Sequence, residues 1–185
     1  MPEGGSNGLG SLSYVECMRE VAGQLPRRGV ENGAPFFDVV THACGSGGTA
    51  AGVALGASAY GVGRSVRSFA VSNDAEYFRA TIERLIAEAR ALDPSLGAPA
   101  PLVVDDSARG PAYGAASPAQ RATIVRVARA SGLVLDPVYT GKAMHGLVEA
   151  IERGDVPRGS RVLFVHTGGL PGLFAQGDTF APALS

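Results

Sequence analysis

Strand and helix signals alternate along nearly the whole of this chain, and that alternation restricts the fold more than any other feature. Parallel strands need a crossover between them, and a helix is the usual crossover, so the pattern calls for a parallel sheet flanked by helices. Leu12, Val15, Met18, Ala22 and Leu25 recur at helical spacing and predict a first helix that Pro26 and Gly29 end. Residues 36–43 (FFDVVTHA) read as a buried strand, followed by the loop Gly45-Ser46-Gly47-Gly48 and a small-residue helix over 49–60. A strand over 66–71 comes next, and then Asp74 caps a helix bearing Phe78, Ile82, Leu85, Ile86 and Ala89, which Asp93-Pro94 stops. A short strand over 102–104 leads into a polar loop over 105–116. Ser117-Pro118 starts a helix running to about Ser131, with proline at the favoured first position. A helix over 142–153, a strand over 161–166 and a glycine turn (TGGL) complete the alternation.

The chain has 185 residues, the size of one domain, and residues 1–185 read as a single α/β unit with no internal repeat, charge block or linker. A hydrophobic share of 45% against 18% charged excludes a disordered polyelectrolyte. A net charge of −1 gives no electrostatic reason to expect nucleic acid or an anionic membrane as partner. Cys17 and Cys44 are too few for a disulfide framework and lack metal-ligand spacing, so a reducing, cytoplasmic setting is expected. The opening MPEGGSNGLG has no basic residue before an apolar run, and residues 49–63 fall short of the ~20 apolar residues of a membrane helix.

The loop GSGGT marks the first place where chemistry is expected. It lies where a strand gives way to a helix, whose unpaired N–H groups and positive dipole end favour an anion. Gly45, Gly47 and Gly48 let the backbone approach phosphate oxygens, and Ser46 and Thr49 add hydroxyl donors. A tight turn with glycines serving packing is the alternative. Gly45-x-Gly47-x-x-Ala50 also fits the dinucleotide fingerprint in its G/A form. That reading wants an acid at the end of the next strand, where the sequence offers Val71-Ser72-Asn73 and an Asp74 better placed as a helix cap. No lysine follows the glycines, which excludes a Walker loop.

Further along, DPVYTGKAM (residues 136–144) is followed by a helix and then VLFVHTGGLPGLF (residues 162–174). Together with the opening PEGGSNGLGSLSYVEC and the GSGGT loop, these segments resemble the D-cysteine desulfhydrase and 1-aminocyclopropane-1-carboxylate deaminase family. Its members are pyridoxal-phosphate enzymes of the tryptophan-synthase-beta fold (fold type II), and the resemblance runs over essentially the whole chain. It implies pyridoxal 5'-phosphate as cofactor, with Gly45, Ser46, Gly47, Gly48 and Thr49 as its phosphate cradle. It implies Tyr139 and Tyr113 as the active-site tyrosines, and Thr140 as the hydrogen-bond partner of the pyridine nitrogen. Thr167, Gly168 and Gly169 resemble the loop that closes around the ring. The deaminase carries a carboxylate where this chain has Thr140. A hydroxyl cannot hold the ring nitrogen protonated in the same way, which suits β-elimination of a thiol better than opening of a cyclopropane. The expected substrate is therefore a small amino acid such as D-cysteine, released as pyruvate, ammonia and hydrogen sulfide. Thr140 as a plain helix start is the alternative.

Family members hold the cofactor covalently on a lysine of their N-terminal half and bind the substrate carboxylate from the same half. Neither segment is matched here, and the one lysine of this chain, Lys142, lies in TGKAM and is not expected to face the cofactor's aldehyde carbon. A fragment of a longer gene, half of a split enzyme, and a non-catalytic phosphate-binding module remain the three readings. The complete protein is expected to be a homodimer, the chain alone to bind the cofactor weakly, and the sheet to expose apolar surface that the other half covers.

Other residues invite chemistry without supporting it. His42, His145 and His166 lack ligand spacing, so no metal site is expected, and His166 reads as a packed strand-end residue. Cys44 reads as a small buried residue, Asp105-Asp106 as solvated loop acids, and the arginine excess as compositional.

Overall fold

A strand with apolar residues on both faces belongs in the middle of a sheet, and β1 (Phe37–Cys44) is buried over residues 39–44. The computed structural model describes residues 3–25 and 34–180. Around β1 lie β2 (Gly63–Ala70), β3 (Leu102–Asp105) and β4 (Val162–Phe164), all parallel, in the order β3-β2-β1-β4. Register runs from Phe37 opposite Gly63 to Cys44 opposite Ala70, with Val39 opposite Val162 on the other side.

The helices are α1 (Gly8–Gln24), α2 (Gly48–Ala59), α3 (Ala75–Leu92), α4 (Pro118–Ser131), α5 (Thr140–Arg153) and α6 (Leu170–Ala175). Successive residues of a strand face opposite sides, and β1 shows what each side packs against. Val40 joins Val53, Ala54 and Ala57 of α2, whereas Val39 and Ala43 join Ala143, Leu147 and Ala150 of α5. Helices α1, α2 and α3 pack on one another on the first side. Glycine makes the closest of these approaches possible: a Cβ on Gly56 would stand 2.7 Å from Met18 Cβ and 3.0 Å from Val15 Cα. On the second side a Cβ on Gly146 would meet the Phe69 ring at 2.5 Å.

Local signals explain the boundaries. Asp74 caps α3 by accepting the Tyr77 N–H at 2.9 Å. Ser117 and Gln120 form a reciprocal capping box at the start of α4. Gly132 and Gly154, both left-handed, end α4 and α5. The sequence expectations hold for these elements to within about three residues. Three details differ. The last strand is three residues long rather than six. The TGGL turn starts a further short helix, α6. The helix over 142–153 begins at Thr140. The stop expected at Pro26 and Gly29 lies outside the described residues, within which α1 ends at Gln24.

Asp105 and Asp106 are not solvated loop acids. Asp105 is 9% exposed at the end of β3 and pairs with Arg67 at 2.7 Å and Arg153 at 3.4 Å. Burial alone would raise its carboxyl, but hydrogen bonds from Ser107 and the Arg67 guanidinium outweigh it and hold the group below the ordinary range. Asp106 accepts the Ala75 N–H at 3.0 Å and so secures the start of α3. Arg67, one of the residues read as compositional, is thus built into the sheet. No helix among the described residues is long and apolar enough to cross a membrane.

The order of strands fixes where a ligand can sit. From β1 the chain moves through α2 to β2 and through α3 to β3. It then returns through α4 and α5 to the far side of β1, where β4 pairs. Strand order reverses at β1, and in open parallel sheets the crevice outside the carboxyl ends at such a reversal is the binding position.

Candidate active site

The carboxyl end of β1 delivers Gly45, Ser46 and Gly47, and α2 begins at Gly48. Gly47 is left-handed at φ 91, and a Cβ there would stand 3.1 Å from Thr81 Cγ2, so the loop lies close on α3. The first N–H groups of a helix have no partner within it. Here the Gly48 N–H donates to Ser6 Oγ at 3.2 Å, and Ser6 Oγ donates to Ser46 Oγ at 2.8 Å. Ser6 is a site residue that the sequence reading missed. Its neighbour Asn7 caps α1, accepting the Gly10 N–H at 2.8 Å, and Glu88 of α3 accepts the Gly8 N–H at 2.9 Å. A polar Ser-Asn pair before a helix was the available signal, but only the fold shows that it meets a loop forty residues away.

Two tyrosines converge on this loop from different elements. Tyr139 precedes α5, and Tyr113 sits half-exposed in the segment between β3 and α4. Their phenol oxygens are hydrogen-bonded to each other, and the rings cross edge to face with centroids 5.9 Å apart. A Cβ on Gly45 would stand 3.2 Å from Tyr139 Cε1, so the glycine is what lets the ring lie over the loop. Beside them opens a cavity of about 300 Å³, lined by Ser6, Gly45, Ser46, Ser72, Arg84 and Tyr113 among others.

Asp136 organises the turn that carries Tyr139. Fully buried, its carboxylate accepts the N–H groups of Val138, Tyr139 and Thr140 at 2.7, 2.8 and 2.7 Å, and the Thr140 hydroxyl at 2.7 Å. The Asp136 N–H in turn donates to Thr140 Oγ1 at 3.0 Å. Thr140 is therefore buried with its hydroxyl proton given to Asp136, the arrangement of a helix start. Gly169, at φ 110, brings the loop after β4 onto the same carboxylate, which any Cβ there would overlap. Asp136 stood inside a quoted motif without a role, and an acid four residues before a threonine at a helix start was the signal.

Among the residues chosen from sequence, Gly45, Ser46 and Tyr113 line the cavity directly. Gly47, Gly48 and Thr49 form the helix start behind it, and Tyr139 lies against Gly45. Thr140 and Gly169 meet at Asp136 rather than in the cavity. Thr167 is exposed on the neighbouring loop, where the Gly168 N–H donates to His166 Nδ1 at 3.2 Å.

The remaining titratable groups do not add a nucleophile or a metal centre. His42 is fully buried, and burial draws its imidazole down to about 4. Burial pushes the Cys44 thiol up to about 11 despite hydrogen bonds from Ser68 and the Gly47 N–H. His145 bridges Thr123 at 2.9 Å and Glu149 at 3.3 Å between α4 and α5. His166 is exposed rather than packed, with Nε2 at 3.0 Å from the Val134 carbonyl. No group of three or more His, Cys, Asp or Glu among the described residues is placed to hold a metal.

Comparison with known proteins identifies the family and the fold. The sequence pattern of the pyridoxal-phosphate dependent enzymes matches residues 1–168. A bifunctional D-cysteine desulfhydrase/1-aminocyclopropane-1-carboxylate deaminase, mitochondrial, of Arabidopsis thaliana is 37% identical over 98% of this chain and 44% of its own length. A D-cysteine desulfhydrase of Yersinia pestis (strain Pestoides F) is 40% identical over 95% of this chain and 51% of its own. The crystal structure of an ACC deaminase homologue superposes with a TM-score of 0.83 at 34% identity, covering 99% of this chain and 53% of that one. The chain thus spans about half the length of the relatives it matches. The parallel, helix-flanked sheet is the fold type II architecture expected from the sequence, and the chain belongs to the pyridoxal-phosphate dependent enzyme family.

Proposed function

We propose that this chain is the phosphate-cradling part of a lyase that performs α,β-elimination on D-cysteine or a closely related amino acid. The observation carrying the proposal is the pair of hydrogen-bonded phenols, Tyr113 and Tyr139, standing over the glycine loop at the strand-order reversal. The residues present fit pyridoxal phosphate. The α2 N-terminus and the Ser46, Thr49 and Ser6 hydroxyls would take the phosphate, in a cradle where a Cβ on Gly48 would come within 2.8 Å of Ser6 Oγ. Bound there, the cofactor supplies a conjugated ring that accepts the electron pair left by α-proton removal. Tyr139 would hold or move a proton at its phenol oxygen, and Tyr113 would keep that oxygen oriented by their mutual hydrogen bond. The substrate loses its α-proton and its thiolate. Addition of water then balances the products as pyruvate, ammonia and hydrogen sulfide.

Position 140 favours elimination over cyclopropane opening. It offers no carboxylate, and its hydroxyl is already donated to Asp136, so it supplies no proton to a ring nitrogen. Lys142 supports a partner half as the source of the cofactor's covalent lysine, because all three of its N–H donors are occupied by carbonyls. The working form in this reading is a homodimer that includes a lysine-bearing N-terminal half.

The test joins this chain to the N-terminal half of a desulfhydrase relative and assays D-cysteine against 1-aminocyclopropane-1-carboxylate. Sulfide and pyruvate from D-cysteine are expected to appear faster than 2-oxobutyrate from the cyclopropane, with borohydride fixing the cofactor on the added half. Faster 2-oxobutyrate would reject the use of Thr140. Stoichiometric label on Lys142 would reject the need for a second half.

A further inference from the structure

Lys142 is the one lysine among 16 basic residues, and it stands where a cation is least expected. It lies in the first turn of α5, at the positive end of the helix dipole, and is nonetheless fully buried. An isolated buried ammonium is costly unless hydrogen bonds replace its water. Here they do: Nζ is 2.7 Å from the Ala112 carbonyl, 3.0 Å from that of Tyr113 and 3.4 Å from that of Val71. An ammonium has three donors and no acceptor, so these three carbonyls use it completely.

The carbonyls belong to two kinds of backbone. Val71 directly follows β2 and donates its N–H to the Cys44 carbonyl at 3.0 Å, at the carboxyl end of the sheet. Ala112 and Tyr113 lie in the segment between β3 and α4, which has turns and one isolated bridge, Ala112 with Ala115, in place of regular structure. Side chains do the anchoring there. Gln120 Nε2 donates to the Ala108 carbonyl at 2.7 Å and Gln176 Nε2 to that of Gly114 at 2.7 Å, while Lys142 takes the carbonyl of Tyr113 itself. Tyr139 stands immediately before α5, three residues ahead of Lys142. One helix end therefore carries Tyr139 directly and Tyr113 through the ammonium, so the distance between the two phenols is set from a single element.

We propose that Lys142 is a positioning residue whose ammonium, clamped on the Ala112 and Tyr113 carbonyls, fixes the Tyr113 phenol against Tyr139. Its relevance to catalysis rests on the reading of the two phenols as the working pair; the placement itself does not. Burial draws the ammonium down to about 8, opposed by the Asp136 carboxylate.

The experiment needs no cofactor or substrate, so it stands apart from the assay above. The full chain is labelled with 3-fluorotyrosine, and its five tyrosine resonances are assigned by Tyr→Phe substitution. In the unsubstituted protein, Tyr113→Phe should shift the Tyr139 resonance. In Lys142→Met the Tyr113 resonance should move to the position of a free, averaged ring and the Tyr139 resonance should move as it does in Tyr113→Phe. Tyr14 and Tyr60, which do not line the cavity beside Tyr113, should stay in place, which general destabilisation would not leave so. Amide exchange at Ala115, whose N–H donates to the Ala112 carbonyl at 3.2 Å, should quicken by roughly tenfold or more. Should Lys142→Met not fold, Lys142→Gln, which keeps two donors without the charge, takes its place with the same expectation. Unmoved Tyr113 and Tyr139 resonances in a folded variant, equal shifts of all five, or failure of both variants to fold would overturn the proposal.

Discussion

Replacing Asp136 by alanine should be among the most damaging single changes in this chain, and the size of the loss can be worked from its contacts. The carboxylate accepts three backbone N–H groups and one hydroxyl at 2.7–2.8 Å. The Thr140 N–H and hydroxyl are buried, so each is left without a partner at a cost of about 1–3 kcal/mol. The Val138 and Tyr139 N–H groups are only part-buried and can recover water, so about 0.5 kcal/mol apiece is a fair charge. The sum is about 3–7 kcal/mol, at and above the upper end of what single substitutions do. Urea unfolding followed by far-UV circular dichroism should show the midpoint falling with little change in slope. Coupling to Thr140 gives a sharper test. Thr140→Val alone removes a donor to Asp136 and strands the Asp136 N–H, so it should cost about 1–2 kcal/mol. In the alanine background it also removes a stranded hydroxyl, and should cost about 1 kcal/mol less than it does alone. A loss below about 1 kcal/mol for Asp136→Ala, or additivity of the pair within about 0.5 kcal/mol, would refute the view that this carboxylate builds the turn.

Other expectations follow from the same geometry. Gly56→Ala forces a methyl to 2.7 Å from Met18 Cβ, and should cost about 1–3 kcal/mol in urea unfolding by pushing α1 off α2. Gly45→Ala sets a Cβ 3.2 Å from the Tyr139 ring and should weaken non-covalent binding of pyridoxal phosphate, read by dialysis, while leaving the unfolding midpoint nearly unchanged. His42, held down to about 4 by burial, binds fewer protons folded than unfolded between that value and 6.5, so it makes stability fall as pH drops through this window. The full span corresponds to about 3 kcal/mol, and His42→Gln should flatten the pH dependence of unfolding there. Native-state alkylation at pH 8 should reach Cys17 well before Cys44, whose thiol is buried and raised to about 11; peptide mapping reads the order.

The fold was legible because its signals are local and repeated. An apolar run such as FFDVVTHA can only be a central strand in a chain this rich in crossovers, and the caps at Asp74 and Ser117 act within three residues of themselves. Position 161–166 was read too long for a physical reason: the residues are strand-like throughout, but β4 pairs only with β1 at the sheet's edge, and its pairing stops when the chain turns toward His166. Asp105 was misread because its partners, Arg67 and Arg153, stand 38 and 48 residues away. A carboxylate's solvation depends on such partners, and no window of sequence contains them.

The site divides along the same line. The glycines of the first loop were visible because close approach and positive φ admit little else, as at Gly47 against Thr81. The two tyrosines and the loops were visible only through resemblance, since nothing in the spacing of residues 113 and 139 says that their phenols touch. What neither route reached were the polar groups beneath them, Ser6, Asp136 and Lys142. These leave no periodic trace, because each satisfies backbone N–H or carbonyl groups at irregular places rather than filling a face of a helix or strand. Yet irregular backbone is where a site must be built: loops at the carboxyl edge of a sheet have no ladder to hold them, so buried side chains supply the missing partners. A buried charge beside a glycine-rich or Asp-Pro turn is then better read as the brace of a nearby reactive group than as the reactive group itself. In this chain the one lysine, and the one fully buried aspartate among the described residues, both take that part.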